Sequence, residues 1–394
     1  MPQAPSCGTV VKMQVQCILL ILCAIVCTGS TNAARNLQSA DRMQHEFRCD
    51  WPVLSFNVSA ATRSRSPSLM VTDASFSRSN SKSSSLALPA YWINLDDNID
   101  RRDYMNKNFE VFGHQLGIGS NRRISAVKPD TEAFRITKLE KPCKRNTDGD
   151  LAIILSHLTA IYRAIKDTSP TAQRNPYALI LEDDVEFHLK ADLRKVIQSA
   201  PADFGVLQLT TTNTEALTTL WGKFEASGFS SFWTPNKWSD TTKNGKYTLY
   251  WGALGYVIQK KVVEPFIDRV VDVAADGSLS FKIINSFFPD KCIQTKDRPC
   301  VLANCLFSDS YIYSAAGPTY VSHFPILTSG KNMGLNSTAH QTHVPAHIEA
   351  FQEIQKLLDG MRATPHYAKC KKKGHDTAGK PKAFSRSSGT NNRW

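Results

Sequence analysis

Three consecutive carboxylates, Glu182, Asp183 and Asp184, follow five mostly apolar residues in the stretch YALILEDDVEFH. Adjacent like charges repel, so such a run needs either water or a counter-charge. Hard oxygen donors suit Mg2+ or Mn2+, which would neutralise the cluster and bridge to a diphosphate. The same ion would stabilise negative charge developing on a departing phosphate group. The plainer reading of an acidic triplet is a solvated cap on a strand. Here the apolar residues before it, and Val185-Glu186-Phe187 after it, favour a buried strand that delivers its charges to one end. A second pair, Asp96 and Asp97, follows YWINL and is either a further set of donors or an ordinary turn. Ser156-His157 lies within a helical pattern, where His157 either packs or touches phosphate or sugar. No G-x-G-x-x-G follows the first strand pattern, and neither a P-loop nor a G-x-S-x-G elbow occurs.

The elements that must position these residues alternate between strand and helix patterns. LPAYWINLD at 88–96 is β-rich, and IDRRDYMNKNFEVFG repeats its apolar residues at roughly helical spacing. NRRISAV at 121–127 reads as a second strand. Residues 150–167 form the clearest amphipathic helix, preceded by Thr147 and Asp150 in a capping-box arrangement. YALIL then has the continuous apolar character of a central parallel strand, and FGVLQLT gives another. Residues 211–249 are turn-rich and polar and read as an elaborated loop containing Trp221, Trp233 and Trp238. WGALGYVIQKKVVEPFIDRV predicts a strand, a turn at Gln259-Lys260-Lys261 and a helix. SDSYIYSAA places Asp309 before an aromatic run, TYVSHFPIL closes the fold, and a short helix is expected over 348–358. This order predicts an α/β fold with a mostly parallel central sheet flanked by helices. In such sheets ligands bind outside the carboxyl ends of the strands, where both acidic clusters would stand.

The chain has 394 residues, of which 42% are hydrophobic, enough for a sizeable core. Residues 1–34 contain the apolar run CILLILCAIVC followed by small residues, which fits a signal peptide or an uncleaved signal anchor. Residues 35–88 are Ser-rich and read as a stem or linker. The folded domain is expected over 89–330, a C-terminal extension with a short helix over 331–359, and a basic disordered tail over 360–394. The exoplasmic compartment agrees with two sequons, Asn57-Val-Ser59 and Asn336-Ser-Thr338. It also agrees with six cysteines outside the N-terminal segment, Cys49, Cys143, Cys292, Cys300, Cys305 and Cys370, an even set for disulfides of unspecified pairing. The net charge of +12 is concentrated at the ends: residues 360–394 hold nine basic side chains against one acidic. A near-neutral folded body argues against a nucleic-acid partner.

The ordered triple YWINLDDNIDRR, GDLAIILSHLTAIYRAI and YALILEDDV resembles the glycosyltransferase family 25 domain, which includes lipopolysaccharide and procollagen galactosyltransferases. The resemblance covers about residues 89–325, with WGALGYVIQKKVVEPFI similar to that family's glycine and tyrosine segment. It implies a GT-A type fold and a metal-dependent transferase using Mn2+, or Mg2+, with a nucleotide-sugar donor such as a UDP-hexose. Galactose or glucose would pass to a hydroxyl of a glycan or glycoprotein acceptor. By the same resemblance, Glu182, Asp183 and Asp184 stand for the family's metal and nucleotide motif, with Glu182 and Asp184 as metal ligands. Asn94, Asp96 and Arg101 would approach the nucleotide; Arg101 could instead face solvent. Ser156 and His157 match the family's Ser-His pair, and Asp184 and Asp309 are the candidate catalytic carboxylates. The implied location is the lumen of the Golgi or endoplasmic reticulum, as a type II membrane protein or a lumenal one, with secretion as the alternative. Two rival readings remain: a noncatalytic luminal binding protein on a GT-A shell, and a metal-dependent phosphoesterase.

Overall fold

The first expected strand forms as β1 (Leu88–Asn94), buried along its length. The computed structural model describes residues 86–140, 147–187, 191–227, 231–236, 250–284, 307–329 and 344–362, all within one compact unit spanning 53–364. The apolar run at 17–27, the Ser-rich segment 35–85, both sequons, all ten cysteines and the tail beyond 362 lie outside the described residues. Among the described residues no helix is long and apolar enough to cross a membrane.

The strands that follow are β2 (Ile118–Ser125), β3 (Lys138–Leu139), β4 (Tyr177–Glu182), β5 (Val185–Glu186), β6 (Val206–Gln208), β7 (Trp233–Pro235), β8 (Gly255–Gln259), β9 (Val271–Val273), β10 (Leu279–Ile283), β11 (Thr319–Ser322) and β12 (Thr328–Ser329). The main sheet has the order β2-β1-β4-β8-β6-β11-β7. β2, β1, β4, β6 and β11 run one way, so the sheet is mostly parallel as expected, whereas β8 is antiparallel to both of its neighbours and β7 to β11. The reversal of β8 matters for the site. It brings the residues before the strand, Tyr250 to Leu254, to the same edge as the carboxyl ends of β1, β4 and β6.

Side chains alternate across β1, as strand geometry requires. Tyr91 and Ile93 join Ile154, Leu155, Leu158 and Ile161 of the helix Asp148–Ile165 in one core. Trp92, on the opposite face, meets Phe109 of the helix Ile99–Phe112, and Phe109 in turn meets Phe187. The helix Asp148–Ile165 opens with the expected capping box, Thr147 and Asp150 bonding reciprocally.

Three local expectations need correction. The expected turn at 259–261 is absent: β8 runs into the helix Lys260–Val270 with Gln259 at its N-cap. The segment read as a polar loop contains the helix Thr214–Ala226, whose threonines and Gly222 weaken local propensity. Its Ala216, Leu217, Leu220, Trp221 and Phe224 form a buried face, and tertiary packing decides the outcome. The short C-terminal helix is longer than expected, Val344–Arg362, and buries Ala350, Ile354 and Leu358.

Candidate active site

Glu182 ends β4, Asp183 and Asp184 make a tight turn, and Val185 begins β5, which pairs antiparallel with β12. The acidic run is therefore a turn clamped between two strands, with Asp183 and Asp184 buried. The helix Ile99–Phe112 presents Arg101, Met105, Asn108 and Phe109 on its buried side. Asn108 Nδ2 donates to the Val185 carbonyl at 3.1 Å, and Arg101 Nη1 donates to Asp183 Oδ1 at 2.6 Å. Asn94, the last residue of β1, donates from Nδ2 to Asp183 Oδ2 at 2.8 Å. Both Asp183 oxygens are thus occupied, and Arg101 is buried against carboxylates rather than turned to solvent.

Asp184 is placed differently. Arg101 Nη1 is 3.9 Å from its Oδ2, and its buried Oδ1 has no hydrogen-bond partner among the described residues. Burial, then the charge of Glu182, pushes the Asp184 carboxyl up to about 7. Burial also raises Asp183, although Arg101 and Asn94 oppose it. For Glu182 burial acts upward too, but the bond and charge of His157 hold the carboxyl below its ordinary value.

His157 is buried between two partners. Its Nε2 lies 3.3 Å from Glu182 Oε1 and its Nδ1 3.0 Å from the Tyr256 hydroxyl. Because a carboxylate only accepts, His157 donates from Nε2 to Glu182, while its Nδ1 meets the Tyr256 hydroxyl. Ser156 does other work: its hydroxyl donates to Ala152 O at 2.7 Å and accepts from Val127 N at 2.8 Å. It ties the helix to the segment after β2 rather than joining the carboxylates.

Asp96 is exposed and held by Arg123 Nη1 at 2.7 Å and Ser125 Oγ at 2.6 Å. The Ser125 bond, then the Arg123 bond, lowers its pKa. Asp97 pairs with Lys128 at 2.8 Å. Arg123 was not singled out from sequence, since two adjacent arginines in a strand give no signal of their own; its place comes from the parallel register of β2 on β1.

Asp309 accepts from Gly252 N at 2.7 Å and from Ser310 N at 2.6 Å. Burial raises its pKa, and the charge of Glu182 adds to the rise, placing it within electrostatic reach of the acidic turn. Tyr313, one turn along, donates to the Gly252 carbonyl at 3.0 Å. Gly252 has φ +109°, and a Cβ there would sit 2.8 Å from Thr212 Oγ1, so both conformation and space demand glycine. Tyr256 and Tyr313 also escaped sequence reasoning; the WGALGYV segment was the available signal for the first and the aromatic run of SDSYIYSAA for the second.

Glu182 and Asp184 fit a divalent cation. Asp184 offers an unpartnered buried oxygen, and one or two carboxylates with substrate phosphates and water are a normal Mg2+ or Mn2+ arrangement. Among the described residues no group of three or more His, Cys, Asp and Glu side chains converges as a ready-made centre, so such an ion would draw its remaining ligands from substrate and water.

No curated protein matches the chain. Residues 87–279 match the family described as Glycosyltransferase family 25 (LPS biosynthesis protein). That span contains the acidic turn, Arg101, His157 and Tyr256, and it ends before Asp309. With the motif order, the sheet and the clustered carboxylates in agreement, residues 87–279, just under half of the chain, are matched to glycosyltransferase family 25, whose name denotes transfer of a sugar from a donor to an acceptor.

Proposed function

We propose that the chain is a GT-A type hexosyltransferase that moves galactose or glucose from a UDP-sugar to a hydroxyl of a glycan or glycoprotein. The observation that carries this reading is the acidic turn at the carboxyl end of β4, with Asp183 fully bonded and Asp184 left short of partners. Arg101 and Asn94 hold Asp183 and so fix the turn. His157, oriented by Tyr256, holds one Glu182 oxygen. Glu182 and Asp184 would hold Mn2+, or Mg2+, which when bound supplies positive charge for the diphosphate leaving group. Asn94, Arg101 and the loop containing Asp96 border the same edge and support nucleotide binding there. Asp309 supports the site by fixing Gly252.

The secretory lumen, Golgi or endoplasmic reticulum, is the proposed location, supported by the N-terminal apolar run, the sequons and the even cysteine set outside that segment. Transfer and hydrolysis measured over a panel of UDP- and GDP-hexoses, with and without Mn2+, test the activity. Metal-dependent turnover of one UDP-hexose, lost in Asp184→Asn, is expected. A folded protein that neither binds nor turns over any donor would overturn the reading, and glycan binding indifferent to nucleotide and to Asp184→Asn would replace it with a noncatalytic role.

A further inference from the structure

Tryptophan buries more apolar surface than other side chains, so one left open at the rim of a polar site invites a physical explanation. Trp251 is 40% exposed, whereas Trp92 and Trp221 are buried. It is also the only tryptophan among the described large apolar residues that stand exposed.

Its backbone is fixed. The Trp251 carbonyl accepts from Thr211 Oγ1 at 2.8 Å and from Thr212 N at 3.0 Å. The next residue, Gly252, is held on its N–H by Asp309 and on its carbonyl by Tyr313. The ring therefore stands on a braced segment, with its exposure built into the local chain path.

That segment runs past the acidic turn. Glu182 N donates to Leu254 O at 2.9 Å, and Leu209 N donates to Gly255 O at 3.1 Å. Three residues of chain reach at most about 10 Å, so Trp251 stays close to Leu254, whose carbonyl holds the end of the strand that carries Glu182. Beside it, Thr210 lies between residues bonded to Gly255 and to Trp251, and its buried hydroxyl has no hydrogen-bond partner among the described residues. Phe307, also exposed, lies two residues before Asp309.

We infer that Trp251 is the acceptor platform of this site, stacking on the apolar face of a pyranose ring. The inference rests on the transferase reading and narrows its acceptor to a glycan whose terminal sugar offers a contiguous C–H face, as galactose does across C3, C4 and C5. A flat, rigid, amphipathic ring suits such a face. The ring's C–H groups meet the indole while its hydroxyls remain free for water.

The test uses the full chain with UDP and Mn2+. Saturation-transfer NMR is recorded with methyl β-galactopyranoside and methyl β-glucopyranoside as probes. The expected result is saturation concentrated on the ring protons of one face in the wild type and in Trp251→Phe. In Trp251→Ala the probe affinity should fall about tenfold, the upper end of an aromatic contact, with UDP affinity unchanged within twofold. Probe binding that persists in Trp251→Ala overturns the inference, as does UDP binding with no pyranoside signal at all. Loss of UDP affinity in Trp251→Ala would assign the ring to the donor instead and also overturn it. If the wild type binds no UDP, the transferase reading fails and this inference falls with it.

Discussion

At the scale of single residues, the acidic turn separates a carboxylate that stabilises from one that does not. Asp183 is matched by Arg101 and Asn94, whereas Asp184 is buried with one oxygen unpartnered. Removing the cation of a buried pair leaves its partners uncompensated, so Arg101→Leu should lower stability by about 3–5 kcal/mol in urea unfolding. Asp184→Asn should change it by less than about 1 kcal/mol, or raise it, because a neutral amide avoids burying a charge. Equal losses in the two variants would show that Asp184 is a structural group. His323 gives a separate prediction, far from metal chemistry. It is buried, donates from Nδ1 to Ser231 O at 2.9 Å, and accepts at Nε2 from Thr234. Burial lowers its pKa below 6.5. The unfolded chain then binds more protons than the native one just below pH 6.5, so this contribution is present above that value and lost as pH falls towards the folded pKa. Melting temperature should drop between about pH 6.5 and 5, and the drop should be smaller in His323→Gln.

At the scale of elements, the segments beyond the family match are part of the same construction. β11 sits between β6 and β7 in the main sheet, β12 pairs with the strand that leaves the acidic turn, and the helix Ser308–Ala315 grips Gly252. A fragment of residues 87–279 alone should therefore lack cooperative unfolding by circular dichroism, while a chain kept to residue 362 retains it; a well-folded 87–279 fragment would disprove this dependence. Within the full chain, Gly252→Ala forces a side chain onto φ +109° and against Thr212. It should cost about 1–3 kcal/mol and weaken donor binding through the displaced strip beside Glu182.

At the scale of the whole molecule, the sequence carried periodicity and order well and direction poorly. The continuous apolar run before Glu182 announced a central strand, and Thr147 with Asp150 announced a helix start, because both signals are local. Nothing local in WGALGYVIQ records that β8 runs against its neighbours, yet that reversal is what brings Trp251, Gly252 and, through His157, Tyr256 into the site. The helix Thr214–Ala226 was hidden for the same kind of reason: its threonines describe a loop, and only packing against the rest of the fold reveals its buried face. Because β8 joins the β2-β1-β4 half to the β6-β11-β7 half, a ligand held at the edge they share should stabilise both together. A ligand that binds only the native state at about 100 times its Kd adds about 2.7 kcal/mol, and each kcal/mol shifts the midpoint of a domain this size by about 2–4 °C. UDP with Mn2+ should thus raise a single melting transition by about 5–10 °C, chelation of the metal should remove most of that shift, and Asp184→Asn should show none. Two separate transitions, only one of them moved by UDP, would mean that β8 does not couple the halves, and an unchanged midpoint in the wild type would deny the nucleotide its place at the acidic turn.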